Sequence, residues 1–232
     1  MTNRNWLGKA TITGAALVLI AAMAFTACSK KEGGSGGSSG GGSASASISR
    51  AAPASDFSYD LTADKSGVLI KGYTGNGGIV VIPATIEDMP VKEIGEFAFQ
   101  GSTRNEEKPT NRITEIVVPD SVVKIGMRAF EDIKSLTKAT LPNGLKEIPS
   151  SLFYGCKNLT TVNLPTSLEE IWNEAFQYCG ELNNLIIPES ITSVKFSNLF
   201  GEGVGNNAFT GCGKLPLATR AKIEALGYKD DF

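Results

Sequence analysis

The chain has 232 residues with 22 basic and 24 acidic side chains, a formal charge of −2, 41% apolar residues and 26 glycines. That balance argues against a nucleic-acid-binding field and suits one folded domain with extensions. Histidine is absent and the four cysteines include no CxxC pair, which excludes histidine nucleophile pairs, imidazole bases and zinc or redox motifs, so no cofactor or metal is expected.

In chain order, Arg4 and Lys9 open a basic stretch that runs into an apolar segment from Ala10 to Ala24 and then Phe25-Thr26-Ala27-Cys28. These are the parts of a secretory signal over residues 1–27. A cysteine directly after small residues resembles the lipobox of bacterial lipoproteins, although Phe25 stands where that box ordinarily has Leu. The resemblance implies lipidation at Cys28, a membrane attachment through the lipid, and a place at the outer membrane or cell surface of a bacterial envelope. The other reading is an uncleaved membrane helix, since the 18 residues from Ala10 to Ala27 reach the lower end of the spanning range. Residues 28–55 hold the lipidated Cys and a Gly/Ser-rich tether with almost nothing to bury, a coil about 26–31 Å across.

Beyond the tether a repeat takes over. Pro119, Pro142, Pro165 and Pro188 are each 23 residues apart, and Phe130, Phe153 and Phe176 run in step with them. Ala98-Phe99 and Ala208-Phe209 complete the series, with insertions between Pro and Phe in the first and last units. Leu136-Thr137-Lys138-Ala139-Thr140-Leu141-Pro142 shows the local pattern: the alternation of a half-buried strand, ended by a proline that cannot donate to a ladder. A second apolar pair follows at fixed offsets, as in Leu145 and Ile148. The inward side chains of one unit are worth roughly 10–20 kcal/mol if fully buried, while ordering its backbone costs about 1–2 kcal/mol per residue. One unit therefore cannot fold alone, and neighbours must cover each other in a solenoid.

The pattern LxxVxLPxxLxxIGxxAFxxCxxL resembles the BspA-like leucine-rich repeat family, with Ile94-Gly95-Glu96-Phe97-Ala98-Phe99 and Ile125-Gly126-Met127-Arg128-Ala129-Phe130 carrying its IGxxAF core. The resemblance implies an α/β leucine-rich repeat solenoid of about five 23-residue repeats with short parallel strands over residues 77–214. Pro149 and Trp172 stand at the Gly position of that core, Leu152 at the Ala, and Ile133 at the Cys. Residues 56–76 read as an N-terminal hairpin cap, with Phe57–Leu61 and Val68–Ile70 around an Asp64-Lys65-Ser66-Gly67 turn. Residues 215–232 read as a C-terminal helical cap, Pro216 and Gly227 bracketing a helix whose Ala218, Ala221 and Ala225 would face the last repeat.

Cys156, Cys179 and Cys212 fall in one column, as packed small hydrophobes or, for Cys156 with Cys179, as a pair in an oxidising compartment. The adjacent acids Glu106-Glu107, Glu169-Glu170 and Asp230-Asp231 read as solvated surface, and Gly75 to Gly78 as a turn without the ending of a phosphate loop. The candidate ligand-binding residues are the outward strand positions: Val117, Thr140, Asn163 and Ile186 in one column, continued from Val81, and Lys138, Thr161 and Asn184 in the next, with Glu115. Phe196, Leu199 and Phe200 in the insertion from Lys195 to Val204 either anchor a partner or fold back over the last repeat. The polar insertion from Ser102 to Arg112 reads as a mobile loop. No acid–base–nucleophile set assembles, so no enzyme is expected. Leucine-rich repeats typically bind with their concave sheet, so the resemblance implies a non-catalytic protein-binding or adhesion module. Its partner would be a host extracellular matrix protein or another cell-surface protein. The alternative is an envelope structural or assembly protein docking to another membrane component.

Overall fold

In the computed structural model, which describes residues 50–102, 104–105, 107–194 and 207–232, the first turn is organised by one carboxylate. Asp64 accepts hydrogen bonds from Thr62 Oγ1 at 2.6 Å and from the Ser66 N–H at 3.0 Å, and the Ser66 and Thr62 hydroxyls hold its carboxyl well below the usual range. The turn joins β1 (Phe57–Leu61) to β2 (Val68–Tyr73) in an antiparallel hairpin, as the sequence predicts. β2 then pairs in parallel with β5 (Met89–Ile94), so the cap is continuous with the repeats. β4 (Thr85–Ile86) folds back on β5 through Glu87 and Asp88, both left-handed at φ 50° and 62°, the geometry of the mirrored two-residue hairpin turns.

From there the chain coils. One column of parallel strands contains β3 (Gly78–Val81), β6 (Ile113–Val117), β8 (Lys138–Thr140), β10 (Thr161–Asn163) and β12 (Asn184–Leu185), paired in that order. The apolar pairs after each proline form a second column. There β7 (Lys124–Ile125) continues from β5, and β9 (Glu147–Ile148), β11 (Glu170–Ile171) and β13 (Ser193–Val194) pair in parallel. The prolines turn the chain between columns: Val122, Leu145 and Leu168 donate their N–H to the carbonyls of Pro119, Pro142 and Pro165.

The Ala-Phe segment makes the third side. Phe99, Phe130, Phe153 and Phe176 donate N–H to the carbonyls of Ala129, Leu152, Ala175 and Ala208 on the next turn, at 2.8–3.1 Å. Each of these turns needs left-handed backbone. Phe97, Arg128, Ser151, Glu174 and Asn207 lie there at φ 49–58°, two residues before each phenylalanine. Asp132, Gly155, Tyr178 and Gly211 do so two residues after it. A non-glycine residue in that region costs about 1–2 kcal/mol, which the forward hydrogen bonds and ring burial offset.

Those rings form a spine. Phe99, Phe130, Phe153, Phe176 and Phe209 are fully buried, with centroids 5.3–5.6 Å apart from one turn to the next. Tyr73 stacks on Phe99 at one end, and Tyr228 meets Phe209 edge-on at the other, both at 5.6 Å. The C-terminal cap is α1 (Leu217–Ala225), but Ala218, Ala221 and Ala225 are exposed. Ile223 is buried instead, because the face carrying Thr219, Ile223 and Leu226 offers larger apolar side chains at helical spacing than three methyl groups do.

The described residues of the Ser102–Arg112 insertion are tied down rather than unstructured. Asn111 accepts from the Ser102 N–H at 2.9 Å and donates to the carbonyls of Ser102 and Asn105, while buried Thr110 donates to the Gln100 carbonyl. The polarity of the segment signals exposure, but asparagine supplies the turn bonds itself. The signal segment, Cys28, the tether up to residue 49, and Phe196, Leu199 and Phe200 lie outside the described residues.

Phe153 touches spine neighbours on both sides, so Phe153→Ala is expected to destabilise the chain by about 3–5 kcal/mol, read from the midpoint of denaturant unfolding monitored by circular dichroism. Asp88→Gly, which relieves a left-handed aspartate, is expected to shift that midpoint the other way by about 1 kcal/mol.

Candidate functional site

The five-stranded column presents one face to solvent, and its residues follow from strand alternation. Ile116, Ala139, Val162 and Leu185 point inward and are buried. Their neighbours in sequence therefore point out. The register places Glu115, Lys138, Thr161 and Asn184 in one row, with Ile79 at its start. Val81, Val117, Thr140 and Asn163 make the second row. Ile186 follows Leu185 just beyond β12. The sequence-predicted strand residues are thus brought together on one surface.

Its chemistry is graded. Lys138 Nζ lies 2.7 Å from Glu115 Oε1, both side chains part-exposed, a surface pair worth about 0–1 kcal/mol. That ammonium answers a neighbouring strand before it answers a ligand. Asn163 Nδ2 donates to Thr140 Oγ1 at 3.4 Å, while the hydroxyls of Thr137 and Thr160, just outside the row, donate to the carbonyls of Thr114 and Thr137 one turn back. Beyond the Glu115–Lys138 pair on β6 and β8, the face towards β12 is rich in hydroxyl and amide groups. Its two ends are apolar, with Ile79 53% and Ile186 78% exposed. Ile79 escaped the sequence reading. Its signal is present in the alternation of Gly78-Ile79-Val80-Val81, which turns Ile79 to the same side as Val81.

The cysteine column is internal. Cys156, Cys179 and Cys212 are fully buried free thiols. They donate to the carbonyls of Phe130, Phe153 and Phe176 at 3.0–3.2 Å, one turn back in each case. Burial pushes all three thiols up, Cys212 to about 12. Such thiols are poor nucleophiles. They serve packing, each occupying a carbonyl that the Ala-Phe turn leaves facing the core. The pairing of Cys156 with Cys179 is not formed.

Two departures from the repeat lie outside the five-stranded sheet. Trp172, at the Gly position, donates its indole N–H to Glu147 at 3.2 Å. Tyr178 is left-handed at φ 62° where the flanking turns have Gly155 and Gly211, and its half-exposed ring meets Tyr154 edge-on at 5.4 Å. A Cβ on Gly211 would approach Tyr178 Cδ1 to 3.1 Å, so this glycine makes room for the tyrosine. Among the described residues no group of three metal-ligating side chains converges, and no helix is long and apolar enough to cross a membrane.

The comparisons agree with this geometry. A family model described as the BspA type leucine rich repeat region matches residues 92–215 in six copies. Among solved structures, a T. pallidum leucine rich repeat protein is 29% identical with a TM-score of 0.59, over 79% of this chain and 99% of that one. A leucine-rich repeat protein from Bacteroides ovatus is 31% identical with a TM-score of 0.55, over 69% of this chain and 44% of that one. A leucine rich cell surface protein from Faecalibacterium prausnitzii is 23% identical with a TM-score of 0.57, over 75% of this chain and 41% of that one. No curated protein matches the chain.

The burial of the thiols sets a measurable expectation: an aromatic disulfide reagent at pH 9 should leave Cys156, Cys179 and Cys212 unmodified in the native chain and label all three in denaturant. Labelling of any of them at native speed would contradict the buried column.

Proposed function

This chain belongs to the BspA-type leucine-rich repeat family, and from that premise we propose that it is a non-catalytic protein-binding module presented on the bacterial cell surface. The family is one of protein-interaction repeats. The observation that carries the reading is the outer sheet face, where the hydroxyl and amide groups of Thr140, Thr161, Asn163 and Asn184 lie beside the Glu115–Lys138 pair, between exposed Ile79 and Ile186. A rigid sheet presents such groups without the cost of ordering a loop, and apolar ends supply the area that anchors a protein partner. The partner is a host extracellular matrix protein or another cell-surface protein. The basic-then-apolar N-terminus and Cys28 support export and lipid anchoring, and the Gly/Ser run supports a tether that lets the repeats stand clear of the membrane.

Binding of the purified chain to immobilised matrix proteins and to intact bacterial cells tests this. Thr140→Arg combined with Asn163→Arg places two long cations among these hydroxyl and amide groups and is expected to weaken retention at least tenfold without moving the unfolding midpoint. Equal retention of the wild type and the double variant would remove the sheet face from the function. Protease shaving of intact cells separates surface display from the envelope-assembly alternative, because an inward-facing head would survive it.

The anchor has its own measurement. Intact mass of the membrane-extracted protein is expected to show a chain beginning at Cys28 and carrying a diacylglycerol, and a full-length unmodified mass would return the N-terminus to an uncleaved helix.

A further inference from the structure

The chain contains two Asn-Gly steps, Asn76-Gly77 and Asn143-Gly144. Such a step carries its own nucleophile and leaving group. The glycine amide nitrogen attacks the asparagine side-chain carbonyl carbon and gives up its proton. The Cγ–Nδ2 bond breaks, the amide nitrogen leaves with that proton as ammonia, and a five-membered succinimide remains. Water then opens the ring at one carbonyl or the other, giving aspartate or isoaspartate. Glycine favours the closure because it has no Cβ to hinder the approach. By sequence the two steps are equivalent, and only their surroundings separate them.

Gly77 is held on every side. Its N–H donates to the Tyr73 hydroxyl at 3.0 Å, and the Tyr73 ring is itself fixed by stacking on Phe99. The nucleophile is therefore engaged. Gly77 is also left-handed at φ 81°, and a Cβ placed on it would come within 2.5 Å of Arg112 Cβ, so the peptide is wedged against a neighbouring segment. Gly144 is open on each count. Its N–H has no hydrogen-bond partner among the described residues. Its backbone is not left-handed, a Cβ on it would meet nothing within 4 Å, and both Asn143 and Gly144 are exposed. The Asn143 amide reaches Asp120 Oδ1 at 3.2 Å and Oδ2 at 3.4 Å, long contacts at a solvated site that water readily replaces.

We propose that Asn143 is a self-modifying site, converting through a succinimide to aspartate and isoaspartate in the folded chain, while Asn76 is protected. The place of Asn143 in the coil gives the conversion a consequence. Its N–H donates to Asp120 Oδ1 one turn back at 2.9 Å, and its carbonyl accepts from Ser167 Oγ one turn on. A carboxylate at position 143 faces the Asp120 carboxylate, and like charges at that distance repel. Isoaspartate also routes the backbone through the side-chain carbon, inserting a methylene between the two bonds. Conversion thus adds one negative charge and loosens the Pro142–Leu145 turn, which follows β8 and joins the two strand columns. The site lies in a turn and not on the outward rows, so it stands independently of binding through them.

The test incubates the purified full chain at pH 8, native and in guanidinium, and follows the peptides containing Asn76 and Asn143 by digestion and mass spectrometry. In guanidinium both steps are expected to convert at similar rates. In the native chain the Asn143 peptide is expected to yield aspartyl and isoaspartyl forms, while the Asn76 peptide converts at least tenfold more slowly than in guanidinium. Gly144→Ala, for which the turn has room, is expected to slow conversion at Asn143 about tenfold with the unfolding midpoint unchanged. An Asn143 peptide that stays unconverted in the native chain would overturn the proposal. So would an Asn76 peptide that converts as fast in the native chain as in guanidinium, or undiminished conversion in Gly144→Ala.

Discussion

A column of phenylalanines, one per turn, sets the terms on which everything else in this molecule is built. Each ring can leave water only against the ring of the next turn, and the 5.3–5.6 Å between centroids has to be met by the backbone at every turn. Parallel strands, about 4.7–4.9 Å apart, meet it on two sides of the coil. On the third side the forward bonds from each phenylalanine N–H to the next Ala-Phe turn do so. The three ladders and the spine are thus one constraint, and the stability of any turn belongs jointly to that turn and its neighbours. Both ends close with the same chemistry, Tyr73 stacked on Phe99 and Tyr228 edge-on to Phe209.

The tight third side has a conformational cost, and the way it is distributed explains several residues that otherwise look arbitrary. Left-handed backbone recurs on both flanks of the phenylalanine, mostly in residues with side chains. Where a side chain leans along the stack, the next turn has a glycine. A Cβ on Gly155 would come within 2.2 Å of Asp132 Oδ1, and one on Gly211 would crowd Tyr178. The cysteines complete the arrangement from inside by donating to phenylalanine carbonyls. A thiol is the smallest apolar side chain that still offers a weak donor, which accounts for cysteine at a fully buried position without invoking redox chemistry.

The exposed surfaces follow from the same repetition. Matching register from strand to strand lines up outward residues in rows, so the threonines and asparagines of β8, β10 and β12 become a continuous hydrogen-bonding surface rather than scattered polar points. A solenoid also has two ends that differ from its middle. At one end α1 reaches the last strand of the sheet through Thr219. At the other the hairpin joins the neighbouring column, while the Ala52 N–H bonds the outward carbonyl of Val81 in β3.

Sequence alone determined the solenoid, because proline at a spacing of 23 residues and phenylalanine in step with it leave stacking as the one way for such short units to bury their apolar side. It determined the rows as well, since strand alternation has a period of two and a shift by one residue would expose Ile116 or Ala139. It did not determine which face of α1 packs. Ala218, Ala221 and Ala225 and the set containing Ile223 both have helical spacing, and only contact with the last turn chose the larger side chain. Nor did it show that Lys138 is held by Glu115, or that Asn111 folds the polar insertion onto itself. Each of those depends on which groups from distant parts of the chain arrive at the same place, and a periodic pattern, being local, carries no record of what meets it from the side.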